Sequence, residues 1–162
     1  MDYLWSPWRY RYVSTAGAGD GCVFCLAAAE NQDRENLIVH RAAHCFVILN
    51  RFPYTSGHLM VVPYAHVATA EDLDEAGTME MALLTRRVAG ILRRAYRPDG
   101  LNIGMNIGRA AGAGIAGHIH THVLPRWAGD ANFMTTVGET RVLPEDLDGT
   151  WERLAPAFAA GA

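Results

Sequence analysis

Nine consecutive residues in the last third of the chain constrain it most: His118-Ile119-His120-Thr121-His122-Val123-Leu124-Pro125-Arg126. Histidines alternate with apolar or β-branched residues, the period-2 pattern of a strand. Successive side chains of a strand point to opposite faces, so His118, His120 and His122 share one face at roughly 6.6 Å intervals. Ile119, Thr121 and Val123 point into whatever packs behind the sheet. Just upstream, Gly108, Gly112, Gly114 and Gly117 rule out ordinary helix or strand and favour a turn of exposed backbone amides. Amides gathered beside a row of imidazoles suit an anion that one imidazole attacks and another protonates. A histidine row can also be a surface patch, and H-x-H on a strand suits a catalytic metal. The apolar partners argue against the first, and Val123-Leu124, standing where a metal hydrolase would want a carboxylate, against the second.

The remaining composition narrows the setting. At 162 residues, half of them apolar, the chain can bury a sizeable core as one domain, 1–162. A net charge of −3 gives no electrostatic footprint for nucleic acid. No apolar run approaches the ~20 residues that span a bilayer, and Met1-Asp2-Tyr3 opens no signal peptide, so no membrane partner and a cytoplasmic location are expected.

Taken in order, residues 1–21 form an aromatic and arginine-rich arm (Tyr3, Trp5, Trp8, Arg9, Tyr10, Arg11, Tyr12) and a small-residue loop. Such an arm can stack a base, but more commonly packs on its own domain or a partner subunit. Cys22-Val23-Phe24-Cys25 is a C-x-x-C, either redox-active or half of a zinc site that histidines must complete, with His40, His44, His58 and His66 as candidates besides the triad. Cys45 lies in an apolar run and reads as a buried small side chain. His44–Asn50 and Leu59–Pro63 read as a strand hairpin around the turn 51–57. A capped helix is expected from Thr69, with Glu71 and Asp72 near its N-terminus and an apolar stripe at Leu84, Val88, Ile91, Leu92 and Ala95. Arg86, Arg87, Arg93 and Arg94 read as its solvated face rather than a binding patch, and Pro98-Asp99-Gly100 stops it. Leu101–Ile107, the histidine segment and Thr135–Leu143 supply three further strands, and Asp146–Phe158 a terminal helix. The order of elements favours an α+β fold with a mainly antiparallel sheet.

These segments together resemble the histidine triad family. His118 to Leu124 matches its H-φ-H-φ-H-φ-φ pattern apart from Thr121. Asn50 to His58, Asn102 to Asn106, the glycine loop and Pro125-Arg126-Trp127 continue the match in order, over roughly residues 22–142. Arg126 to Phe133 is most similar to the fragile-histidine-triad and bacterial diadenosine polyphosphate phosphorylase branches. The resemblance implies a core over 22–143 with a five-stranded sheet and one long helix, a C-terminal helix over 144–162, and a sheet extended by homodimerisation.

It also implies roles. His120 would attack an α-phosphorus and form a nucleotidyl-histidine, its other nitrogen held by the His118 backbone carbonyl. His122 would bond a phosphate or leaving-group oxygen, and His58 would support it. Asn50 would contact ribose and Asn106 the phosphate. Gly112, Ala113, Gly114 and Ile115 would offer amides to the phosphate, although the family's polar glutamine or serine is absent and the loop is about one residue longer. The metal ligands implied are Cys22, Cys25, His66 and His118, holding a structural zinc. The activity implied is phosphorolysis of diadenosine polyphosphates. The alternatives are a dinucleotide hydrolase or nucleoside phosphoramidase at the same intermediate, and a catalytically silent nucleotide-binding protein.

Overall fold

The computed structural model describes residues 21–137 and 143–160. The aromatic arm over 3–12 lies outside the described residues. Five strands form one antiparallel sheet: β1 (Ile38–Arg41), β2 (Cys45–Leu49), β3 (Leu59–Pro63), β4 (Gly100–Met105) and β5 (Thr121–Arg126), in the spatial order β1-β2-β3-β5-β4. The helices are α1 (Val23–Ala29), α2 (Glu75–Tyr96), the single turn α3 (Phe133–Thr136) and α4 (Leu147–Ala159), with a 3₁₀ turn at Arg109–Ala111.

The sheet has two differently used faces, and register assigns them. Leu59 pairs with Val123, Met60 with His122 and Val61 with Thr121, while Cys45 pairs with Pro63, Val47 with Val61 and Leu49 with Leu59. One face therefore carries Cys45, Val47, Leu49, Leu59, Val61 and Val123, all buried. The Cys45 thiol lies 3.7 Å from the Gly77 carbonyl of α2, which identifies this as the helix-covered side. Burial pushes that thiol up to about 12, as an inert buried cysteine requires. The opposite face carries Met60, His122 and Leu124; Phe24 of α1 packs against the buried His118 and His120 rings, and the face opens beside half-buried His122.

α2 begins later than its sequence suggests. Thr69 spends its hydroxyl on Asp72, 2.8 Å away, in a local turn. The cap is Asp74, whose Oδ1 accepts the Gly77 amide at 2.7 Å, satisfying a donor that the helix cannot. Met81, Leu84, Val88, Ile91 and Leu92 are its buried stripe, and truncating a residue such as Leu92 to alanine should cost roughly 2–5 kcal/mol. Arg97, in the left-handed region at φ 47°, ends the helix.

Two strand assignments change. The segment from Thr135 does not begin a strand: Asn132 accepts the Met134 amide at 2.9 Å and the Thr135 amide at 3.0 Å, which winds it into α3. Residues 138–142 lie outside the described residues. The fifth strand is instead β1, which pairs with β2 across a bulge between Ile38 and His40. The histidine strand itself starts at Thr121, so His118 and His120 sit in extended backbone ahead of the ladder, where Ile119 donates to the Val67 carbonyl at 2.7 Å. Of the helix arginines, Arg87 is anchored rather than solvated, donating to His40 Nε2 at 3.1 Å and to the Phe158 carbonyl at 2.6 Å.

Candidate active site

Hydrogen bonds within the site fix its tautomers. His120 Nδ1 lies 2.8 Å from the His118 carbonyl oxygen. A carbonyl only accepts, so Nδ1 carries the proton and the Nε2 lone pair faces outward. His120 is only 5% exposed, and burial lowers its pKa below the ordinary imidazole value, although the carbonyl partner works in the other direction. The neutral, nucleophilic form is thus the resting one near neutral pH.

The second chain of bonds starts in the turn after β2. The Tyr54 amide donates to His58 Nδ1 at 3.2 Å, and the Asn50 side-chain amide approaches the same nitrogen at 3.4 Å. His58 Nδ1 is therefore an acceptor, and the proton sits on Nε2. That Nε2 lies 2.9 Å from His122 Nδ1 and donates to it. His122 in turn must carry its proton on Nε2, toward the open face. The arrangement sets an imidazole N–H beside an imidazole lone pair, with the His120 and His122 ring centroids 4.8 Å apart. One can attack while the other donates to an oxygen.

Asn50 is buried, and its Oδ1 accepts the Phe52 amide at 2.9 Å. Its amide is thus occupied by Phe52 and His58, inside the turn. Asn106, half-buried, is the first residue beyond β4 and continues the Met105–Thr121 register toward His120. In the glycine loop, Gly108 and Gly112 take positive φ of 79° and 86°, accessible at low cost to glycine. The Gly112 amide donates to Arg109 at 2.9 Å and that of Ala113 to Gly108 at 3.3 Å. These two bonds close the loop on itself, and of the four residues Gly112, Ala113, Gly114 and Ile115 only the last two donate to no backbone carbonyl among the described residues.

Beside the site, Cys22, Cys25, His66 and His118 converge, their ligand atoms all within 4.8 Å of one another. Cys22 Sγ lies 3.3 Å and Cys25 Sγ 3.6 Å from His118 Nδ1, and Cys25 Sγ lies 3.3 Å from His66 Nδ1. His118 Nε2 donates to the Pro63 carbonyl at 2.8 Å, leaving Nδ1 unprotonated and turned to the thiols. Burial and the adjacent Cys22 raise the Cys25 thiol, so two thiolates here need a cation between them. Two sulfurs and two ring nitrogens at this separation fit tetrahedral zinc. His40 and His44 take no part: His40 stacks on Phe158, and the His44 amide donates to Glu80. The sequence could not reveal the Tyr54 amide or the Pro63 carbonyl, because every residue offers a backbone.

A cavity of about 970 Å³ continues from His122 along β5, walled by Tyr54, Tyr96, Asn102, Leu124 and Trp127.

A family model for the HIT domain matches residues 31–129. A Mycobacterium tuberculosis protein named AP-4-A phosphorylase is 37% identical over 98% of this chain and 85% of its own. Among solved structures, a zinc-bound histidine triad family protein from Mycobacterium smegmatis aligns with a TM-score of 0.69 at 30% identity, covering 86% of this chain and 94% of that one. A hypothetical histidine triad nucleotide-binding protein from Sulfolobus tokodaii aligns equally well, at TM-score 0.69 and 27% identity, over 86% and 93%.

Proposed function

Because the chain belongs to the HIT domain family, we propose that it is a nucleotidyl-transfer enzyme that cleaves diadenosine polyphosphates by phosphorolysis. The single observation that carries the chemistry is the pair of fixed tautomers, a His120 Nε2 lone pair beside a His122 Nε2–H. His120 Nε2 attacks the α-phosphorus, and the bond from that phosphorus to the bridging oxygen breaks. The departing nucleotide takes the electron pair, and His122 donates to its oxygen. An oxygen of inorganic phosphate then attacks the same phosphorus, the P–N bond breaks, and the nucleotide leaves as a nucleoside diphosphate. From diadenosine tetraphosphate and phosphate the products are ATP and ADP. The amides of Gly114 and Ile115, with Asn106, would meet the phosphate oxygens, where fixed dipoles stabilise developing charge. Gly112 and Ala113 would hold that loop in shape. Asn50 would reach ribose only if its amide left the turn; as it stands it supports His58. The cavity beyond His122 gives the leaving nucleotide room.

Cys22, Cys25, His66 and His118 would hold zinc, which supplies structural rigidity rather than an open Lewis-acid position. What supports the reading is the zinc-bound relative together with the four converging ligands. His118 is then fixed at both ring nitrogens, and its carbonyl, which orients His120, is fixed with it.

The phosphorylase name of the 37% identical relative favours phosphate over water as acceptor. Incubating the protein with diadenosine tetraphosphate, with and without phosphate, tests this. ADP and ATP formed only with phosphate are expected. AMP and ATP formed regardless of phosphate would make it a hydrolase, and no turnover with retained binding would make it a silent nucleotide-binding protein.

A further inference from the structure

On the helix-covered side of the sheet, away from the triad, a second groove of about 440 Å³ is bordered by His40, Leu83, Arg86, Arg87, Gly90 and Arg94. Gly90 is the unusual member. It stands in the middle of the 22-residue α2, where glycine costs helix stability. Close packing does not require it: a Cβ there would meet only the Arg94 Nη1 at 3.5 Å, an ordinary contact. What its missing side chain does is leave a floor. Arg86 and Arg94 stand one turn to either side of it, at i−4 and i+4, and so on the same helix face.

The third guanidinium is locked in place. Arg87 is pinned by His40 and the Phe158 carbonyl and lies over the Phe158 ring, 5.6 Å from its centroid. Its Nε is buried and has no acceptor. Elsewhere Arg34, Arg41, Arg126 and Arg153 each find a carboxylate; among the described residues Arg86, Arg87 and Arg94 make no salt bridge. Among the described residues that border the groove the one acid is Glu80. Its carboxylate is turned to the backbone amides of Ala43, His44 and Cys45, at 3.2, 2.5 and 2.7 Å, so it forms no ion pair with the arginines.

We propose that this groove is a second anion site that takes a phosphate chain, either free polyphosphate or the phosphates of a nucleotide. The exposed guanidiniums of Arg86 and Arg94, on either side of the glycine floor and beside the pinned Arg87 charge, offer more charge-assisted donors than a single carboxylate uses, and a chain of phosphates matches their spread. The site departs from the expectation that these arginines are only solvated, and it does not rest on the assignment of the triad.

The test is an NMR titration of the full-length ¹⁵N-labelled chain with tripolyphosphate, inorganic phosphate and ATP in parallel, read at the Gly90 amide and the Arg87 Nε–H. Saturable shifts at both with tripolyphosphate are expected. Tighter binding of ATP would identify a nucleotide as the ligand, and equal binding the phosphate chain alone. Arg86→Gln/Arg94→Gln, both exposed, should weaken binding at least tenfold with the fold unchanged. Gly90→Leu should abolish it while raising Tm. Overturning results are non-saturating shifts at Gly90 with every probe, shifts confined to the glycine loop of the triad, or unaltered affinity in the arginine double variant.

Discussion

At the scale of residues, the site is a matter of where four protons sit. His120 and His122 are chemically identical side chains with opposite assignments, because one faces a carbonyl and the other faces an imidazole N–H. The chain of bonds from the Tyr54 amide through His58 to His122 makes His58 a positioning residue. His120→Gly should reduce kcat by orders of magnitude and leave nucleotide binding nearly intact, as expected for a group that acts after binding. His58→Phe removes the donor that sets the His122 tautomer, and should lower kcat by roughly 10–100-fold with KM little changed, the size of effect seen when a hydrogen-bonded supporting residue is lost. Steady-state kinetics separates the two. The alternation of His118, His120 and His122 was legible in the sequence because strand geometry is periodic. The inward turn of Asn50 was not: its Asx-type bond to Phe52 depends on how the hairpin closes, and the same residue type would serve equally well facing a ligand.

At the scale of elements, α1 and the segment before β5 are tied together through the thiol–imidazole cluster. The Cys22→Ser variant should lose bound zinc by elemental analysis and fall in Tm, with partial loss of activity as the His118 carbonyl loosens; full retention of metal would remove Cys22 from the ligand set. A separate junction joins β1, α2 and α4 at His40. Burial lowers the His40 pKa, the Arg87 charge lowers it further, and Glu80 opposes them. A histidine whose folded pKa is depressed contributes fully above the unfolded value and loses that contribution as the solution is acidified. Stability should therefore decline as pH falls below about 6.5, and His40→Gln should flatten the decline measured by thermal unfolding from pH 7 to 5. β1 escaped the sequence reading for a physical reason. It has four residues, carries His40 and Arg41, follows Leu37 at φ 62°, and is broken by a bulge, so no alternation survives. The apolar stripe of α2 was visible because 22 residues sustain a helical period, whereas its start was obscured by Thr69, which is a plausible cap in sequence and a local turn in space.

At the scale of the whole molecule, the sheet ends in β4, whose outer backbone faces no strand among the described residues. Along and just beyond it, Ile103 is 51%, Met105 39% and Ile107 42% exposed. An edge strand with exposed apolar side chains is a template for pairing. A homodimer joined along β4 is expected, and sedimentation that gives one species of 17.7 kDa at micromolar concentration would refute it. No described helix is long and apolar enough to cross a membrane. The proposed chemistry turns on a single bond, that between His120 Nε2 and an α-phosphorus. Its most direct measurement is rapid mixing with diadenosine tetraphosphate carrying radiolabelled α-phosphate, without inorganic phosphate, followed by an alkaline quench that preserves phosphoramidates and peptide mapping. Label on the peptide containing His120 is expected, discharged when phosphate is added and absent in His120→Gly. Turnover in the presence of phosphate with no label ever reaching the protein would contradict it.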